Sequence, residues 1–161
     1  MPQSSKFKKY FPRHGKIEWI GIRGPSDEQI TSVCSAELVR DLGIVGDKEC
    51  SNPGSNRQVT LVQHEYFAVI ASFLGGKSVT PYHLRRNIVV SGLNLAVLSG
   101  YKVGINEVVI QVTGNCAPCA KLERTLGYGG YNAVCSHGGV TAVVLKGGKI
   151  GTGDEVEVFV D

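Results

Sequence analysis

Charge of either sign is scarce in this 161-residue sequence: Asp, Glu, Lys and Arg together make up 19%, and the formal net charge is only +3. So small a surplus argues against a nucleic-acid partner, whose phosphates are met by many cations. Aromatic residues are few as well, at 7%, and they do not interleave with a basic stripe as a single-strand stacking surface requires. No apolar run approaches membrane-spanning length. The basic opening Lys6-Phe7-Lys8-Lys9-Tyr10 lacks the apolar core of a secretory leader. The expectation is therefore a soluble, cytoplasmic chain with no membrane partner. The five cysteines are an odd number and read as reduced thiols rather than as a disulfide framework. There is no repeat of fixed period and no linker. Residues 1–14, interrupted by Pro2 and Pro12, read as an N-terminal arm, and 15–161 as one domain.

Glycine, by contrast, is abundant, with 21 residues, which implies many tight turns and many short strands. Ile17, Trp19 and Gly21 alternate with Glu18, Ile20 and Ile22 as in a strand with one buried face. A turn follows at Gly24-Pro25-Ser26-Asp27-Glu28. Residues 31–36 form a second expected strand, with Cys34 packed in the core as a small apolar residue. Residues 37–42 suggest a short helical turn. Arg57 to Val62 reads as a strand. His64 to Leu74 carries apolar residues at helical spacing and stops at Gly75-Gly76. Further strands are expected at 88–90, 102–103, 108–113, 140–145 and 156–158. Gly127 to Asn132 reads as a flexible loop and Gly147-Gly148 as a two-residue hairpin. Repeated βαβ units are absent, so the expected fold is mainly β: a closed or partly closed barrel of mostly antiparallel strands with a few flanking helices.

The chemistry concentrates in Gly114-Asn115-Cys116-Ala117-Pro118-Cys119-Ala120-Lys121. An alternating run precedes it and an amphipathic run follows, so both thiols fall where a strand gives way to a helix. Unpaired N–H groups and the nearby Lys121 favour a thiolate there. C-x-x-C supports a redox dithiol, half of a zinc site, or one working cysteine with a neighbour. Zinc needs about four ligands, and Cys50, Cys135, His83 and His137 show no second paired spacing. Arg85-Arg86-Asn87 at a strand entry is either a solvated pair or a bidentate anion site. His137 at another strand entry suits either a cap or a general acid/base. Asp47 reads as a turn former, and Arg57 as its partner or as an anion ligand.

Five blocks, Gly43-Ile44-Val45-Gly46-Asp47, Asn56 to Leu61, Leu84 to Gly92, Ala117-Pro118-Cys119-Ala120-Lys121-Leu122, and Gly138-Gly139 through Gly147-Gly148 to Gly153-Asp154, in this order and spacing, resemble the MOSC domain. That domain is named for the C-terminal part of molybdenum cofactor sulfurase. The resemblance covers nearly the whole chain and implies a β-barrel with flanking helices. It also implies molybdenum cofactor (molybdopterin) binding, or sulfur carried as a persulfide on one cysteine, which falls on Cys119. In reductase members that sulfur ligates molybdenum and N-hydroxylated compounds are reduced, so Cys119 is at once the catalytic and the metal-ligand candidate. By the same resemblance Arg57, Arg85, Arg86 and Lys121 are anchors for the cofactor phosphate, with Asn87, Asn132 and His137 beside them. The reductases' N-terminal barrel and a pyridoxal-phosphate desulfurase domain are not among these residues. Pyridoxal phosphate is not expected on this chain, and a separate cysteine desulfurase or redox protein is the expected partner. The alternative is a small thiol-disulfide protein using Cys116 and Cys119.

Overall fold

The computed structural model of the chain describes residues 5–25 and 29–160, so the first residues of the arm and most of the turn expected at 24–28 lie outside it. Eleven strands run in chain order: β1 (Gly15–Arg23), β2 (Ile30–Val33), β3 (Ser35–Val39), β4 (Gly43–Ile44), β5 (Val59–Gln63), β6 (Ile88–Ser91), β7 (Lys102–Ile105), β8 (Val108–Asn115), β9 (Val140–Lys146), β10 (Gly148–Gly151) and β11 (Glu155–Phe159). The α-helices are α1 (His64–Phe73), α2 (Pro81–Leu84), α3 (Ala120–Leu126) and α4 (Gly130–Val134). The order β11-β7-β8-β9-β5-β6-β1 closes into a barrel through β1 against β11, and β2 adds to the far side of β1. A separate sheet holds β10, β3 and β4. Closure removes the open sheet edges that would otherwise invite pairing with another chain. No described helix is long and apolar enough to cross a membrane.

Two apolar clusters organise the molecule. One fills the barrel, with Ile17, Ile20, Leu61, Ile88, Ile110 and Val156 among its members. The other lies outside the barrel wall, where Val62 and Val89 meet Phe67, Ile70, Leu84, Leu122 and Val134. β5 and β6 form the one parallel pair, joined through α1 and α2, and they separate the two clusters. Being covered on both faces, β5 is buried at every position, as a parallel strand under a helix should be.

Several local expectations change, each for a tertiary reason. In β1 the alternation shifts phase. Its pairing with β6 slips between Ile17 and Trp19, so Ile17 and Ile20 both enter the barrel while Trp19 packs with the helical layer. A bulge of this kind reverses the faces of every residue beyond it. Cys34 is exposed rather than in the core. The strand expected over 31–36 breaks at this residue as the chain leaves the barrel sheet for the smaller one, and the Cys34 carbonyl accepts a bond from Thr152 N at 3.0 Å. Residues 37–39 are strand, not helix, because Ala36 and Leu38 are buried on either side of exposed Glu37, a period of two. β9 and β10 do not form a hairpin, since both edges of β9 are taken by β5 and β8, and β10 pairs with β3 instead. The stretch expected as a loop at 127–132 is partly helix α4. Of the described arm, Ser5–Lys9 is an exposed 3-10 turn, and Phe11 packs edge-on to Tyr101.

Gly139 is the tightest backbone approach. Its φ is +91°, and a Cβ there would stand 1.9 Å from the Leu61 carbonyl oxygen of β5. Gly139→Ala is expected to cost roughly 3 kcal/mol or more in chemical denaturation. Gly100→Ala, at φ +85° with nothing within 4 Å, should cost only about 1 kcal/mol.

Candidate functional site

Three neighbouring strands deliver four guanidinium groups to one rim. Arg57 stands just before β5, Arg85 and Arg86 just before β6, and Arg23 ends β1. Because β5 and β6 are parallel and β1 runs against β6, the two strand starts and the one strand end lie together. Cys119, at the N-cap position of α3, comes to the same rim because α3 packs against α2. A cavity of about 110 Å³ results, lined by Arg23, Lys48, Arg57, His83, Arg85, Arg86, Cys119 and Lys121 with Leu84, Leu122 and Thr125. None of these residues is a carboxylate.

Asp47, which pairs with the lining residue Arg23, is buried and already committed. Asp47 Oδ1 accepts from Arg23 N at 2.7 Å and Nε at 3.2 Å, and Oδ2 accepts from Arg23 Nη2 at 3.0 Å and from Glu49 N at 3.1 Å. Burial pushes the Asp47 carboxyl upward, but the Arg23 guanidinium and the bonds from Arg23 and Glu49 outweigh it and hold the group below its ordinary value. Asn87, wholly buried, extends the network. Its Nδ2 donates to Asp47 Oδ1 at 2.9 Å and to Gly21 O at 3.0 Å, while its Oδ1 accepts from Thr60 N and Oγ1, each at 3.1 Å. Asn87 is thus a buried tie between β1, β5 and β6 and does not line the cavity.

Arg86 is 6% exposed. Its Nε donates to Gly138 O at 2.8 Å and its Nη1 to Leu84 O at 3.1 Å, which fixes the guanidinium between the β6 entry and the loop before β9. Burial pushes this group downward from its ordinary value, and the neighbouring Cys116 and Cys119 side chains counter that push. It nevertheless stays a cation. Nη2 of Arg86 and Nη2 of Arg85 are buried with no hydrogen-bond partner. A buried donor left unpaired costs about 1–3 kcal/mol, and more when charged. Arg85 also adopts a left-handed φ of +57° at the C-cap of α2, a conformation that costs a non-glycine residue about 1 kcal/mol or more.

The candidates named from sequence therefore divide. Arg57, Arg85, Arg86, Lys121 and Cys119 share the cavity, and Asn87 lies under it. Asn132 lines a separate, wider depression of about 800 Å³ with Phe73, Tyr128 and Tyr131. His137 is sandwiched between Tyr66 and Phe73, its ring centroid 5.0 Å and 5.8 Å from theirs. Cys116 is buried and lines a third cavity of about 220 Å³ behind the loop, which Cys119 does not line. Arg23 and Lys48 were not expected as site residues, and His83 was considered only as a zinc ligand. Arg23 carried one signal, a charged residue in phase with a buried strand face. His83 is positioned by Thr80 N, which donates to its Nδ1 at 2.9 Å and leaves Nε2 to carry the proton of the neutral ring. Among the other thiols, burial and nearby Asp47 push Cys50 upward, away from thiolate chemistry.

The MOSC domain model matches residues 48–157 of this sequence. Among solved structures, the chain is similar to the YuaD protein of Bacillus subtilis, with a TM-score of 0.77 and 22% identity over 91% of this chain and 96% of that one. It is similar to YiiM of Escherichia coli, with a TM-score of 0.71 and 20% identity over 93% and 71% of the two chains. YiiM of Geobacillus stearothermophilus gives 0.70 and 18% over 91% and 75%. At these identities the likeness is one of fold. No curated protein matches in sequence.

Asp47→Asn should lower the unfolding free energy by about 3–5 kcal/mol at neutral pH, because it leaves Arg23 buried without its counter-charge. The carboxyl is depressed in the folded state, so its contribution is present above the unfolded value of about 3.9 and is lost as pH falls through the folded one. Denaturant titrations from pH 7 to pH 2 should show the gap between the two proteins closing below about pH 4.

Proposed function

The chain belongs to the MOSC domain family, and from that premise we propose that it binds the molybdenum cofactor, with the arginine cavity seating the pterin phosphate and Cys119 offering sulfur to the metal. The observation that carries this reading is an exposed thiol that lines one cavity with two arginines whose buried Nη2 atoms lack partners. The donor set fits the group. Arginine forks match phosphate oxygens, and a thiolate is the soft ligand molybdenum accepts. The cavity is too small for the whole cofactor, so it takes the charged end. When bound, the cofactor supplies a redox metal able to remove oxygen from N-hydroxylated compounds.

The residues of this chain then have separable tasks. Arg57, Arg85 and Arg86 bind the anion, and Lys121 adds charge at the rim. Arg23, Asp47 and Asn87 hold the strand ends in register beneath them. His83 offers a hydrogen bond from Nε2 on the side away from Thr80. A second reading, sulfur carriage as a persulfide on Cys119, draws on the exposure of this thiol, which lets a donor protein such as a cysteine desulfurase reach it. The thiol-disulfide alternative would need Cys116 and Cys119 to meet, and they open onto different cavities.

Protein purified anaerobically from a cofactor-competent host should contain molybdenum and fluorescent pterin. Cys119→Ser should lose at least about tenfold of the molybdenum, Cys116→Ser should keep it, and Arg86→Gln should lose both metal and pterin. Wild-type protein with neither component would sink the cofactor reading. Reversible loss of two thiols on mild oxidation, abolished equally by either cysteine variant, would move the assignment to the dithiol.

A further inference from the structure

We propose that the Cys119 cavity also takes thiosulfate, a sulfane-sulfur oxoanion, and that this donor loads Cys119 with sulfur directly. The inference rests on the sulfur-carrying side of the reading above and names its small-molecule source. Three observations converge on it. First, the cavity of about 110 Å³ has the liquid volume of about four waters, room for a five-atom tetrahedral anion. Second, no carboxylate lines it, and Asp47 is held by Arg23 at 3.0 Å. Arg86, itself 6% exposed, lines this cavity and keeps Nη2 without a partner, as does Arg85. Third, Cys119 is the one thiol lining that cavity; Cys34 and Cys135 are exposed elsewhere and Cys116 opens behind the loop.

An oxoanion held by the guanidinium groups through its oxygens shares this small space with the Cys119 sulfur. The Cys119 thiol first gives its proton to solvent. The thiolate then attacks the outer sulfur of thiosulfate. A bond forms between Sγ and that sulfur, the bond to the sulfonate sulfur breaks, and its electron pair leaves with sulfite. The products are a Cys119 persulfide and one sulfite, so no external oxidant or reductant is consumed. Arginine cations favour the step because negative charge gathers on the departing sulfite beside them. Thiosulfate in the cavity would occupy the seat proposed for the cofactor phosphate, so loading precedes cofactor binding and inorganic phosphate should compete with it.

The test uses the full chain, purified without cofactor and reduced. On incubation with thiosulfate, mass spectrometry should show one added sulfur on Cys119 and an equal amount of sulfite released, saturably with thiosulfate and with none in Cys119→Ser. Added cyanide should return the thiol and release thiocyanate. Arg86→Gln should raise the half-saturating thiosulfate at least about tenfold. Because Arg86 is buried, Arg57→Gln, at a half-buried position, serves as the second variant, with circular dichroism to verify both folds. A parallel arm supplies persulfide from a cysteine desulfurase and cysteine. Loading by the desulfurase but not by thiosulfate overturns this inference and leaves sulfur carriage standing. Loading from neither overturns both. Thiosulfate loading that is unchanged in folded Arg57→Gln and Arg86→Gln overturns the assignment of the donor to this cavity.

Discussion

The buried pair of Arg23 and Asp47 is the constraint on which the rest of the rim depends. Taking two charges out of water costs several kcal/mol per ion, and the pair is tolerable only because its remaining lone pairs and protons are satisfied. Here they are met by Glu49 N and by Asn87, whose amide also bonds to Gly21 and Thr60. One small network therefore ties the end of β1 to the starts of β5 and β6. It also commits Asp47 to Arg23, and no carboxylate is among the residues that line the cavity. Arg85 and Arg86 above it each keep a buried Nη2 without a hydrogen-bond partner.

The same logic explains why two cysteines three positions apart have different prospects. The chain leaving β8 makes a backbone bond from Cys116 N to Gly139 O at 2.8 Å and is crowded from behind by Gly138, where a Cβ would come within 2.5 Å of the Cys116 carbonyl. That crowding buries Cys116. Three residues on, the chain has cleared the wall and Cys119 is exposed at the N-cap of α3. Arg86 lies between the two, bonded to Gly138 and within electrostatic reach of both sulfurs. Glycine at 138 and 139 is thus part of the site, since it lets β9, β5 and the thiol loop approach closely enough for one arginine to serve as their common neighbour.

Strand periods carried most of the fold. β8, β9 and helix α1 follow the alternation and the helical spacing written in their residues, because each buries one face and that face must be apolar, while β5 and β6 are covered on both faces. What local pattern could not reveal were the places where a second element competes. The bulge in β1 answers to β6, the break at Cys34 to the change of sheet, and the missing hairpin at Gly147-Gly148 to β9 having both edges occupied. The site was legible in the same uneven way. Arg57, Arg85, Arg86, Lys121 and Cys119 were nameable from motif blocks, and they meet. Asn132 and His137 lie outside those blocks and were placed beside them only by the resemblance, and α4 and the aromatic pair Tyr66 and Phe73 draw them elsewhere.

By itself, then, the sequence determined that this chain folds as a strand-rich MOSC barrel with a thiol loop before a short helix, because turn glycines, period-two burial and motif order are local properties. Only the tertiary structure decided that Asp47 pairs with Arg23 rather than Arg57, that Asn87 is a buried tie rather than a pocket residue, and that Cys116 opens onto a cavity separate from the one Cys119 shares with the arginines. Those outcomes depend on which strand ends share a rim, and that follows from barrel closure and the parallel crossover of β5 and β6. Residues 24 and 64 positions apart meet at Arg23, a relation no local pattern encodes.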